Sequence, residues 1–134
     1  MARKITLLGA SPPTIHAVID ERALQCQTRP ASIMTKQLDE LAQFAELPHV
    51  TIQVLPLGTG IHCGLEGAFS VLSFDQEDPD VGYVGCPGHD LFVEAASQVQ
   101  QLRLTFERIV EMALSPEESA AVMAAARSNH DQRP

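Results

Sequence analysis

The sequence predicts an α+β fold: an antiparallel sheet of about five strands, with helices before and after it. Short β-branched and apolar runs, separated by Gly, Pro and Asp, predict the strands. Two longer segments repeat apolar residues at helical spacing and predict the main helices. The strands in the middle of the chain follow one another too closely for a crossover helix, which favours antiparallel hairpins.

The first half of the chain alternates helix and strand. The sequence predicts a short helix over 2–9, a strand over 14–20 and a helical turn over 21–27. A longer helix is predicted over 32–47, before Pro48 ends it. Its apolar stripe consists of Ile33, Met34, Leu38, Leu41, Phe44 and Ala45.

Four further strands are predicted, at about 50–56, 67–74, 80–85 and 90–94. A glycine-rich loop over 57–67 joins the first two of them and contains His62. Because this loop leads into a strand and not into a helix N-terminus, nucleotide binding is not predicted.

The C-terminal part is predicted to be helical, over 97–114 and again over 116–127. Ser115, Pro116 and Glu118 stand where a helix N-cap, a first helical proline and a capping box require them. The second helix has an alanine-rich face that could pack closely on another helix. This face contains Ala120, Ala121, Ala124 and Ala125.

Length and charge limit the classes of function. With 134 residues the chain is predicted to form a single domain over 1–134. It has 17 acidic and 9 basic residues, a net charge of −8, and its basic residues form no stripe. Because binding to a nucleic-acid backbone requires a basic surface, no direct contact with nucleic acid is predicted.

Membrane, metal and cofactor binding are not predicted either. No apolar run approaches the ~20 residues that span a bilayer, so the predicted location is the cytoplasm, without membrane association. Cys26, Cys63 and Cys86 show no C-x-x-C spacing and have no second ligand in a recognised pattern. They are interpreted as free thiols, with no metal and no cofactor.

Six segments carry a family resemblance: HAVIDERAL (16–24), MTKQLDELAQFAELPHVTIQVLP (34–56), GIHCGLEGAFSVLSF (60–74), DPDVGYV (78–84), LFVE (91–94) and MALSPEES (112–119). Together they resemble the domain that follows the helix-turn-helix in actinobacterial Xre-type, antitoxin-like transcriptional regulators. The DNA-binding half of such regulators has no counterpart in this sequence. The chain is therefore expected to be either a natural stand-alone domain or a fragment. The resemblance implies a sensing or partner-binding role in transcription regulation.

The chain departs from that family's pattern in two loops. Gly85 is followed by Cys86-Pro87-Gly88-His89 where family members tend to have an acidic residue, and Cys63 stands where a proline is common. Both loops could border one pocket. The predicted ligand contacts are His62, Cys63, Gly64, Cys86, His89 and His16. The ligand would be a small molecule, a peptide or a basic partner protein, and homodimerisation stays open.

Enzyme activity is the alternative, because a histidine with a carboxylate suffices for simple proton transfer. The catalytic candidates are His62, His89 and Glu66. Such a pocket would catalyse isomerisation, conjugate addition or cyclisation in peptide tailoring or natural-product biosynthesis. His62 could instead cap a loop carbonyl and only stabilise the turn. A binding domain is the first prediction because the sequence shows no clear catalytic constellation.

Overall fold

A computed structural model describes residues 8–60, 67–75 and 77–133, with the side chain of Cys86 excepted. The described elements, in chain order, are β1 (Ile15–Asp20), α1 (Glu21–Leu24), α2 (Ser32–Ala45), β2 (Val50–Leu55), a 3₁₀ turn (Leu57–Thr59), β3 (Phe69–Leu72), β4 (Val81–Cys86), β5 (His89–Val93), α3 (Ala96–Met112) and α4 (Pro116–Asp131). They confirm the α+β class.

The described residues form two compact units. Unit 1 contains the residues up to Gly58 and those from Ala113 onward, and unit 2 contains those from Thr59 to Met112. The prediction of a single domain stays a prediction.

Unit 1 is built on a pair of parallel strands. Residues Ile15 to Asp20 of β1 lie opposite Val50 to Leu55 of β2, in register. Helices α1 and α2 form the crossover between the two strands, as parallel pairing requires. Helix α4 returns from the C-terminal part of the chain and packs on α2 and β2.

The core of unit 1 lies between the strands and the helices. Apolar side chains of β2 meet apolar side chains of α1, α2 and α4, because each element buries its apolar face against the others. Its buried members are Leu24, Leu38, Val50, Ile52, Val54 and Met123.

The start of α4 confirms the predicted capping box. Ser115 Oγ accepts a hydrogen bond from the Glu118 amide at 3.1 Å, and Glu118 Oε2 accepts one from the Ser115 amide at 3.0 Å. These two bonds satisfy main-chain donors that a helix start leaves without intrahelical partners. The helix continues to Asp131, four residues beyond the predicted end, without an interrupting Gly or Pro.

Unit 2 contains an antiparallel sheet in the order β3–β4–β5. Helix α3 covers one face of this sheet, where Leu102 lies against Gly82. On the opposite face Tyr83 and Phe92 are cross-strand neighbours, with ring centroids 5.4 Å apart in an edge-to-face arrangement.

Gly82→Ala is expected to destabilise unit 2 by about 1–2 kcal/mol, because an added Cβ overpacks the contact between sheet and helix. That Cβ would lie 2.5 Å from Leu102 Cδ1 and 3.2 Å from Val93 Cβ. Gly85→Ala is the matched control, since its Cβ would meet nothing within 4 Å. Urea unfolding of both variants measures the difference, and equal stability would show that Leu102 moves aside at little cost.

The prediction of one antiparallel sheet of about five strands is wrong. The described strands form a three-stranded antiparallel sheet and a separate two-stranded parallel sheet. The hairpin argument holds for β3, β4 and β5, which are close in sequence. It fails for β1, because a helical crossover separates β1 from β2. The helices are therefore not confined to the two ends of the sheet.

The other predicted elements agree with the structure to within a few residues, except that the helix predicted over 2–9 falls almost entirely outside the described residues. No described helix has both the length and the apolar character needed to cross a bilayer. The cytoplasmic location stays a prediction.

Candidate functional site

The glycine-loop candidates lie outside the described residues. These are His62, Cys63, Gly64 and Glu66. The described glycines on either side, Gly60 and Gly67, have φ values of 74° and 132°. Both values fall in the region that favours glycine, so these two positions require the residue that the sequence provides.

The structure brings Cys86 and His89 together in unit 2. They are opposite residues at the end of the β4–β5 hairpin, joined by a turn in which Gly88 has a φ of 87°. The His89 side chain is exposed.

His16 lies in unit 1 and belongs to a hydrogen-bonded chain. Its Nε2 is 2.5 Å from Gln53 Oε1, and Gln53 Nε2 donates to the Leu114 carbonyl at 2.9 Å. Because Gln53 Oε1 can only accept, His16 Nε2 carries the proton in this arrangement. These hydrogen bonds link β1, β2 and the segment before α4, which gives His16 a structural role.

A concave site in unit 1 is formed by residues that were not among the predicted site residues. It is a groove of about 540 Å³ between α2 and α4, beside β2. Buried apolar side chains form its floor: Leu38, Val50, Ile52 and Met123. This groove is called the α2–α4 groove below.

Alanines on the two facing helices leave space for the α2–α4 groove. Ala42 and Ala45 follow Leu38 by four and seven residues, so they lie on the same face of α2. Ala120 and Ala124 stand four residues apart on α4 and line the opposite wall. Their methyl groups add little bulk to the two walls of the groove. The predicted alanine face of α4 thus borders a groove at two of its positions.

The edge of β2 that faces away from β1 offers main-chain hydrogen-bonding groups. The Ile15 amide donates to the His49 carbonyl, so alternate residues from His49 onward bond to β1. Val50, Ile52 and Val54 therefore direct their main-chain groups to the other edge.

At that edge, Val54 is fully bonded. Its amide donates to Ser119 Oγ at 2.8 Å, and its carbonyl accepts from the Leu114 amide at 2.9 Å. No described residue hydrogen-bonds the main-chain N–H or C=O of Ile52, which lines the α2–α4 groove. A donor and an acceptor without a partner among the described residues thus lie beside the apolar floor.

An ion pair occupies part of the groove wall. Arg127 Nε donates to Asp39 Oδ1 at 2.6 Å and Arg127 Nη2 to Asp39 Oδ2 at 3.3 Å. The pair joins α4 to α2. The hydrogen bond that Arg127 donates to Asp39, and then the negative charge of Asp39, raise the pKa of Arg127 above its ordinary value. Arg127 Nη1 also lies 3.9 Å from Asp131.

Two further carboxylates line the groove near helix ends. Glu46 is the C-cap residue of α2, and Glu117 lies in the first turn of α4. The N-terminus of a helix carries partial positive charge, which attracts the carboxylate of Glu117. The C-terminus carries partial negative charge, which repels the carboxylate of Glu46. The last turn of α2 contains no basic residue. The Glu46 end is therefore the more negative of the two.

A second cavity in unit 1, of about 270 Å³, lies between α1 and the end of α4. Its wall includes His130, which is 3% exposed and whose Nε2 lies 2.7 Å from the Leu24 carbonyl. This contact ties α4 to α1 and gives His130 a structural role. No group of three or more His, Cys, Asp or Glu side chains that could hold a metal ion occurs in the described part of the chain.

The sequence contained one indication of the α2–α4 groove. Alanines recur at helical spacing on both walls, at Ala42 and Ala45 and at Ala120 and Ala124. Such a pattern is equally typical of close helix packing, so the sequence could not distinguish a groove from a contact.

Comparison with curated proteins and with solved structures found no match. A family model does match, over residues 1–125, and this family is described as a domain of unknown function, DUF5753. The match covers most of the chain, including every residue that lines the α2–α4 groove except Arg127. The chain therefore belongs to the DUF5753 family.

Proposed function

We propose that this chain is a ligand-binding domain and that the α2–α4 groove binds a small molecule with an apolar body. The proposal rests on the composition of the groove, which combines a buried apolar floor with a few polar groups at its edge. That combination is typical of small-molecule sites.

The size of the groove supports a small ligand. Its volume of about 540 Å³ lies within the range of roughly 300–1,000 Å³ that is usual for such sites. The floor residues Leu38 and Met123 are each 2% exposed, so they are packed in the core beneath the groove. A ligand would remove its own apolar surface from water, at roughly 25 cal/mol per Å².

Ile52 supplies the orienting polar groups. Its main-chain N–H and C=O point to the edge of β2 at the groove, where no described residue bonds them. A ligand with an amide could use both groups, as an added strand would. The expected ligand is therefore an apolar molecule that carries an amide or an equivalent donor and acceptor.

The resemblance to regulator domains supports a sensing role for this binding. MALSPEES, over residues 112–119, belongs to the resembling segments and contains the start of α4, one wall of the groove. A ligand bound between α2 and α4 would favour one arrangement of these helices over others. We propose that the domain reports a small molecule to the transcription machinery through such a change.

The test uses N-benzylacetamide, an apolar ring with one amide, added to the ¹⁵N-labelled chain. We expect saturable amide shifts in the groove, with Ile52 among the largest, because a hydrogen bond to its main chain changes that amide directly. Ala120→Leu should abolish these shifts, since the longer side chain fills the groove. Ala121→Leu is the matched control on the same helix, because Ala121 does not line the groove.

Both alanines are exposed, so neither variant should unfold the chain. Thermal unfolding without ligand checks this directly. The proposal is wrong if N-benzylacetamide shifts no groove amide, or if Ala120→Leu binds it as well as Ala121→Leu does.

A further inference from the structure

We propose that the ligand carries a cationic nitrogen, which binds at the end of the α2–α4 groove formed by Glu46 and the C-terminus of α2. This inference rests on the proposed binding function and specifies the ligand's charge. It depends on the charges that line the groove and on the directions of the two helices.

The charged lining has a net charge of −2, from three carboxylates and one guanidinium: Asp39, Glu46, Glu117 and Arg127. Asp39 and Arg127 neutralise each other through their two hydrogen bonds. Among the described residues, Glu46 and Glu117 form no ion pair. Two carboxylates therefore face the groove without a neutralising charge.

The two carboxylates differ in the partial charge of the helix end beside each of them. Glu117 lies in the first turn of α4, where the partial positive charge of the helix N-terminus compensates it. Glu46 follows the last residue of α2, where the partial negative charge of the C-terminus adds to its own. A cation near Glu46 would interact favourably with the carboxylate and with the helix end.

An anionic ligand is disfavoured by the same contacts. Arg127 is the one basic residue that lines the groove in the described part of the chain. Asp39 engages two nitrogens of its guanidinium, and Asp131 lies near a third. An anion would have to displace Asp39 and approach a chain whose net charge is −8.

Three probes with one alkyl chain test the proposal: n-octylamine, which is protonated at neutral pH, n-octanol and n-octanoate. Their dissociation constants are measured from the amide shifts of the groove at low salt. The amine should bind most tightly and the carboxylate most weakly. Glu46→Gln should weaken binding of the amine by about 1.5-fold to fivefold and leave that of octanol unchanged.

Glu107→Gln is the control for net charge, because Glu107 is exposed on α3 and does not line the groove. It should leave the preference for the amine intact. Added salt should reduce that preference, because it screens exposed charges.

The outcomes separate the two proposals. Equal binding of all three probes, or tighter binding of the carboxylate, overturns the cationic ligand while the groove stays a binding site. An amine preference that survives Glu46→Gln overturns the assigned position. If none of the probes perturbs the groove, the apolar site and its charge preference both fail.

Discussion

Leu38→Ala is expected to lower the free energy of unfolding by about 2–5 kcal/mol. Leu38 is 2% exposed and belongs to the core between α2, α4 and β2. Truncation removes its buried apolar surface and leaves a cavity that the surrounding side chains fill only in part. Chemical denaturation, followed by circular dichroism, measures the change.

Ile33→Ala is the matched control for Leu38→Ala. Ile33 lies on the same helix and is 53% exposed, so its truncation removes little buried surface. Alanine also has a higher helix propensity than isoleucine, which offsets part of the loss. We expect a change of less than about 1 kcal/mol. Similar losses in the two variants would contradict the assigned core of unit 1.

Ser119→Ala is expected to cost about 1–3 kcal/mol, because it leaves a buried main-chain donor without a partner. Ser119 is fully buried, and its Oγ accepts the bond from the Val54 amide and lies 3.4 Å from the Leu114 carbonyl. The hydroxyl thus accepts a hydrogen bond at the edge of β2 that a carbonyl of a neighbouring strand would otherwise accept. Alanine fits the space but cannot accept a hydrogen bond.

Hydrogen exchange distinguishes this mechanism from a general loss of stability. The Val54 amide should lose more protection in Ser119→Ala than other amides of β2 do, because its acceptor has been removed. Ser128→Ala on the same helix is the control, since Ser128 is exposed. Unchanged protection at Val54 would show that another acceptor replaces Ser119 Oγ.

These two residues also bear on the proposed function. Leu38 forms part of the floor of the α2–α4 groove, and Ser119 ties α4 to the strand beside the groove. Variants at either position confound binding with folding, which is why the exposed Ala120 and Glu46 are better tests of the site.

The local elements of the fold could be predicted because their causes are local. The capping box at Ser115 and Glu118 depends on residues three positions apart, and the apolar stripe of α2 on spacings of three and four. The hairpin of β4 and β5 follows from the short turn between them. Each of these patterns can be identified within a short window of the sequence.

The pairing of β1 with β2 could not be predicted in the same way. The two strands are separated by α1 and α2, and which edges meet depends on how those helices pack. The core of unit 1 also takes in Met123, from the far end of the chain. Such non-local contacts have no counterpart in a short sequence window.

The sequence by itself determined the α+β class, most of the helices and strands, and the acidic net charge. Only the tertiary structure decided that the strands form separate sheets and that a groove lies between α2 and α4. The physical reason is that a groove is a property of two surfaces: Ala42 and Ala120 line one groove only because packing sets the distance between their helices. That distance depends on packing between segments far apart in the chain.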